Sequence, residues 1–182
     1  MPRIRPHSPL ARVAALLATG LILTACSSGP SGEKREYAIP SSLCGAAISP
    51  SALELLLPAG KKTSTVKSGP SGFTRCRLVV DGRVAVSSVI EQWESGTTLR
   101  NVAYGTYGLS SASVKKEESG YIISQSTAVG HASCSKLQKE GHEVFTMIRK
   151  ENGAVDTAAM EKAITEFTDA VSTSKQCTES DG

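Results

Sequence analysis

The stretch Phe73–Trp93, FTRCRLVVDGRVAVSSVIEQW, decides the architecture. Apolar and polar residues alternate on both sides of Asp81-Gly82, the pattern of two half-buried strands joined by a tight turn. Two registers compete. A two-residue Asp81-Gly82 loop pairs Val80 with Arg83 and places Cys76 and Leu78 on one face with Ala85 and Ser87. A three-residue loop, Val80-Asp81-Gly82 with Gly82 left-handed, pairs Leu78 with Val84 and Cys76 with Val86. The second register gathers Cys76, Leu78, Val84, Val86 and Ile90 on one face, with Arg75, Arg77 and Arg83 on the other. A one-residue slip turns a whole apolar set toward solvent, so burial selects the three-residue loop.

Upstream, Ser49–Pro58 (SPSALELLLP) reads as a short helix. Ser49 caps it, Pro50 suits the first helical position, and Pro58 forbids continuation. Leu53, Leu56 and Leu57 form its buried stripe. Ala59–Gly72, with Lys61, Lys62 and Lys67, reads as a solvated basic loop. Downstream, Gly96–Gly108 is ambiguous: Leu99, Val102, Ala103 and Tyr107 have helical spacing, but Gly105 and Gly108 oppose a helix. Val114–Lys116 suits a short strand turning at Glu118-Ser119-Gly120. Tyr121–Cys134 alternates, and its face of small residues, Ser124, Ser126, Ala128, Gly130, Ala132 and Cys134, can lie under a helix. His142–Lys150 is apolar on both faces, as a central strand is. Asp156–Ser174 reads as an amphipathic helix capped by Asp156 or Thr157, with Met160, Ile164, Phe167 and Val171 inward. The expected fold is α+β. A short N-terminal helix and a C-terminal amphipathic helix pack on one face of an antiparallel sheet.

The N-terminus reads as an address. Met1–Arg12 carries Arg3, Arg5 and Arg12 and no acid, and Val13–Leu23 is an apolar run of eleven residues. Such a run spans about 16 Å as a helix, roughly half a bilayer core, which fits a secretory signal better than an anchor. Leu23-Thr24-Ala25-Cys26 resembles the lipobox of bacterial lipoproteins. The resemblance implies that residues 1–25 are removed and that Cys26 is acylated with palmitate-class chains, the membrane being the first partner. Two or three acyl chains anchor firmly, at about 0.8 kcal/mol per buried methylene. Residues 26–36 then form a lipid-anchored flexible tether reaching about 20 Å. Residues 37–178 form one domain, and 179–182 a frayed tail.

Charge and cysteines narrow the rest. The 20 Lys and Arg less Arg3, Arg5 and Arg12 leave 17, against 17 Asp and Glu, so the exported chain is neutral and nucleic acid is not an expected partner. Besides Cys26, four cysteines remain: Cys44, Cys76, Cys134 and Cys177. In an exported chain they are expected to form two disulfides, for which three connectivities exist. Cys44–Cys76 with Cys134–Cys177 is favoured, since each pair ties a terminal helical segment to a strand near it in sequence. No CxxC pair supports a metal, and no cofactor is expected.

The usual catalytic signatures are absent: no G-x-S-x-G, P-loop, GxGxxG, EF-hand, HExxH or SxxK. His131 and His142 are the only retained imidazoles. Glu91 and Glu94 flank Trp93, but Glu94 points away from the face that Glu91 and Trp93 share, which does not make a glycosidase pair. Trp93, Tyr104, Tyr107 and Tyr121, with His131, are the candidate ligand-binding residues.

Ser42-Leu43-Cys44-Gly45, Leu55–Gly60 (LLLPAG) and Cys76–Gly82 (CRLVVDG) together resemble small secreted lipoproteins of streptomycetes and mycobacteria whose domain has no assigned function. The resemblance covers Ser41–Gly82 and the order of elements after it. It implies the Cys44–Cys76 pairing and a sheet fold, and carries over no catalytic residue. The expected function is a non-catalytic, membrane-tethered binding module on the extracytoplasmic face, meeting an envelope protein or wall polymer. The alternatives are an envelope hydrolase or transferase with His131 as base, and a small-ligand delivery lipoprotein.

Overall fold

The computed structural model describes residues 34–178. The expected signal segment 1–25, Cys26, residues 27–33 of the expected tether and the expected tail 179–182 lie outside the described residues. Contact with the domain is already made by Arg35, which bridges Gly60. Its guanidinium donates to the carbonyls of Glu54 (2.8 Å) and Leu57 (2.7 Å).

A small hairpin opens the fold: β1 (Ser42–Leu43) and β2 (Ala46–Ala47) turn through Cys44 and Gly45, both at positive φ. Helix α1 (Pro50–Leu53) follows, and the Ser49 hydroxyl accepts from the Ala52 amide as a cap should. The helix is a single turn, shorter than expected. Leu53, Leu56 and Leu57 are nevertheless all buried, because the turn that follows keeps the stripe inward.

Residues 59–72 correct one expectation. Instead of a loop throughout, they contain β3 (Thr63–Ser68), paired antiparallel along all of its length with β4 (Phe73–Val80). It is an edge strand with nearly every side chain exposed, so no buried face marks it.

The hairpin of β4 and β5 (Arg83–Glu94) corrects another. Its loop is the two-residue one: Asp81 and Gly82 both have positive φ, and Val80 pairs with Arg83. A bulge between Leu78 and Val79 then shifts the register, so that Leu78 pairs with Val86 and Cys76 with Ser88. The three-residue loop is therefore not used, and Val84 pairs with Val79. The bulge nonetheless restores the expected segregation of Cys76, Leu78 and Val86 from Arg75 and Arg77. Turn chemistry and burial are both satisfied by one extra residue.

After β5 a wide turn, Asn101–Thr106, carries i→i+5 bonds such as Tyr107 N to Val102 O (3.1 Å). Strand β6 (Val114–Glu117) follows. The alternating run from Tyr121 is two strands, not one: β7 (Tyr121–Ser124) and β8 (Thr127–Ala132). The Ser124 side chain makes the turn, donating to Thr127 O (2.8 Å) and accepting from Thr127 N (3.0 Å). Then come a short α2 (Ser135–Lys139), β9 (His142–Lys150), α3 (Thr157–Ser172) and α4 (Lys175–Thr178). Asp156 caps α3, accepting from Ala158 N (2.8 Å).

The main sheet has seven antiparallel strands in the order β3-β4-β5-β9-β8-β7-β6. Two three-stranded meanders are thus joined by β9, which is buried on both faces as its sequence predicts. The structure is α+β, with the short N-terminal and the amphipathic C-terminal helix on one face and the disulfides Cys44–Cys76 and Cys134–Cys177. Met160, Ile164, Phe167 and Val171 of α3 meet Ile123, Ala128, Ala132, Val144 and Ile148 in that core.

The opposite face has a smaller core. Val102, Ala103 and Leu109 cover Val89, Ile122, Val129, Phe145 and Met147. That cover stops at Leu109, and the β4–β5–β9 corner of the face is left to polar residues.

Candidate functional site: an arginine-lined hollow

Register alone brings the polar corner together. Arg77 pairs with Ser87, Ser87 with Arg149, and Arg149 with Thr127, one cross-strand row. The next row on the same face is Arg75, Val89, Met147 and Val129, and the next is Phe73, Glu91, Phe145 and His131. Neighbouring strands lie about 4.8 Å apart, so Arg77 and Arg149 sit about 10 Å apart across Ser87. Arg75 is about 7 Å along β4 from Arg77. With Tyr107 and Gly108 as one wall and Glu91 and Glu151 contributing carboxylates, they line a hollow of about 500 Å³.

Its side chains are held. Arg149 Nε donates to Thr127 Oγ1 (3.2 Å) and Nη2 to the Tyr107 carbonyl (3.1 Å). The Arg75 guanidinium lies over the Phe73 ring, 5.4 Å from its centroid. Ser87, 7% exposed, donates to Glu151 Oε1. Glu91 is 5% exposed, and its Oε1 accepts from the Tyr107 hydroxyl at 2.8 Å. The indole N–H of Trp93, on the same strand face, is buried without a hydrogen-bond partner among the described residues, yet near enough to favour the Glu91 charge.

Burial raises the Glu91 carboxyl above its ordinary pKa, against the opposing pull of Tyr107, Trp93 and Arg75. Burial and the adjacent Glu91 carboxylate push the Tyr107 phenol far up, so it stays a donor. The ion pairs among the described residues are Arg35–Glu54, Arg100–Glu117, Lys116–Glu118, Lys116–Glu161 and His131–Glu143. Arg75, Arg77 and Arg149 are in none of them. Three guanidiniums around one hollow without a paired carboxylate are an anion site in waiting, since the fork geometry of arginine suits oxyanions.

The residues singled out from the sequence are dispersed. Trp93, Tyr104 and Tyr107 pack on the smaller core, but only Tyr107 lines the hollow. The Tyr104 hydroxyl donates to Glu117 Oε2 (3.0 Å) beneath Arg100. Tyr121 lies on the helix side, its hydroxyl 3.3 Å from Asp169 Oδ1. The four aromatics therefore do not form one groove. His131 bonds Glu143 through Nε2 (2.8 Å) and stacks on Phe145 with centroids 4.9 Å apart, outside the hollow. The site's arginines were visible only as the polar side of a hairpin. Arg149 joins them through non-local pairing.

A larger cleft of about 770 Å³ opens on the helix side between the two disulfides, over Ile90, Leu137 and Val144. Lys136 and Lys175, which line it, already hold partners. The smaller hollow has the chemistry. No group of His, Cys, Asp and Glu among the described residues is arranged to hold a metal.

Fold and site together define a class by architecture: a disulfide-stapled α+β domain with one helix-covered sheet face and one partly open, basic face. No protein-family model, curated protein or solved structure matches the chain.

Proposed function

We propose that the protein is a lipoprotein tethered through Cys26 to the outer face of the cell membrane, and that its domain is a non-catalytic binding module of the envelope. The observation that carries this reading is the hollow: three half-buried guanidiniums, two of them held by neighbours, with no ion-pair partner among the described residues. Guanidinium charge that the hollow's own carboxylates offset only in part, carried on a sheet, is suited to binding. The two disulfides fit an oxidising compartment. The lipobox-like Leu23–Cys26 supports the anchor, and an envelope polymer or protein bearing negative charge is the partner class. A hydrolase reading has less support, because His131 is engaged by Glu143 and Phe145 away from the hollow.

Two measurements test it. Intact mass of the membrane-extracted chain is expected to show loss of residues 1–25 and diacylglycerol on Cys26, and an unacylated mature chain would refute the anchor. Cross-linking in the native envelope is expected to trap an anionic partner through peptides containing Arg75, Arg77 or Arg149. Recurrent capture through the helix face alone would refute the hollow as the site.

A further inference from the structure

We infer that the hollow takes a phosphodiester carried on a hydroxyl-rich body, an inference that rests on the hollow being the ligand site. Three arginines against Glu91 and Glu151 leave one net positive charge when both carboxylates are ionised. A phosphodiester, a single negative charge at all ordinary pH, neutralises that surplus. The arrangement also fits its shape. A carboxylate offers two oxygens in one plane, which one guanidinium fork satisfies. Arg77 and Arg149 stand on the strands either side of Ser87, and Arg75 stands one row further along β4. Three guanidiniums on separate backbone positions offer more donors than the two oxygens of one carboxylate can use, and suit the oxygens of a phosphodiester.

The acidic members of the hollow describe the rest of the ligand. Glu91 and Glu151 are acceptors beside the arginines, as is the Tyr107 carbonyl that already takes Arg149. They would repel a polyanion, but they accept hydrogen bonds from hydroxyls. A cavity of about 500 Å³ is the size of a small-molecule site, room for a polyol unit with its phosphate. The concavity, and the net neutrality of the exported chain, favour an isolated phosphodiester over the flat anionic surface of a bilayer.

The test uses the full chain purified in detergent micelles and titrated calorimetrically with glycerophosphoinositol, a soluble phosphodiester joining two polyols. Inositol, gluconate and micelles doped with phosphatidylglycerol are run beside it. Saturable, salt-sensitive binding of the diester is expected, with neither inositol nor gluconate competing. Arg77→Gln and Arg149→Gln should each weaken it about ten- to a hundred-fold. Arg77→Lys should restore only part, since charge without the fork is insufficient. Arg77 makes no ion pair among the described residues, so its variants should melt with the parent. That control separates lost binding from lost folding.

Gluconate binding as tightly, with the same arginine dependence, would overturn the phosphodiester while leaving the hollow as the ligand site. Arginine-dependent binding of phosphatidylglycerol micelles, without binding of the soluble diester, would overturn it in favour of a membrane-surface contact. If no probe registers and Arg77→Gln changes nothing, both the phosphodiester and the hollow as a site fall.

Discussion

At Gly130 helix α3 lies close against the sheet, and Gly130→Ala tests that packing. A Cβ there would collide with Thr168 Oγ1 on α3, and would sit 2.8 Å from Thr146 Oγ1 and 3.2 Å from Thr168 Cβ. These are not the loose ends of flexible side chains. The Thr168 hydroxyl donates to Ile164 O (2.7 Å), so in the buried Thr146–Thr168 contact (2.7 Å) it accepts. One methyl group therefore both overfills the layer and separates a buried hydroxyl pair. Overpacking costs about 1–3 kcal/mol, and the lost bond about 0.5–1.5 kcal/mol. The sum, about 2–4 kcal/mol, is a large share of a domain stability of about 5–15 kcal/mol. Melting should fall by about 5–15 °C at this chain length, read by calorimetry or circular dichroism. Thr168→Ala removes the colliding oxygen, so the double variant should be more stable than the two single effects added, by at least about 1 kcal/mol. A Gly130→Ala protein within about 0.5 kcal/mol of the parent, or strict additivity with Thr168→Ala, would refute the close approach.

Other consequences can be read in the same melting experiments. Replacing Cys134 and Cys177 together by Ser opens a loop with sequence separation 43, and the chain-entropy relation puts the loss at about 4 kcal/mol. An unchanged denaturation midpoint would mean that the bridge does not constrain the unfolded chain. For Glu91, burial raises the carboxyl pKa in the folded state, so the native chain holds that proton to higher pH than the unfolded one. Stability from this group is thus present at low pH and lost as pH rises through the folded pKa. Glu91→Gln, which keeps an acceptor for Tyr107, should raise the melting temperature at neutral pH, with the gain vanishing once acid protonates Glu91 in both states. A gain that persisted unchanged in acid would show that charge burial is not its cause.

Much of the fold was legible locally, because burial imprints a period on each element. The inward residues Met160, Ile164, Phe167 and Val171, the cap at Ser49 and the two-faced apolarity of His142–Lys150 all follow from that imprint. The small residues Ala128, Gly130 and Ala132 likewise announced a helix above them. Where burial leaves no trace, the reading failed. Strand β3 pairs through its backbone while its side chains stay in water, so Thr63–Ser68 resembles a loop. The bulge at Leu78/Val79 was hidden because two incompatible preferences, a two-residue turn and an in-phase apolar face, both had to be met.

The hollow belongs mostly to the second kind. Arg75 and Arg77 share a face by strand alternation, and that much is a property of the sequence. Their approach to Arg149, about seventy residues away, depends on β9 inserting between β5 and β8. Glu91 acquired its character in the same way, since the wide turn ending near Tyr107 brings a phenol over it. Sequence by itself determined the inward faces of the elements that burial marks, because short-range periodicity carries them; it left three cysteine connectivities open, of which the favoured one is the one formed. Tertiary structure alone decided which charges became neighbours, because cross-strand register is a long-range pairing that no local window contains.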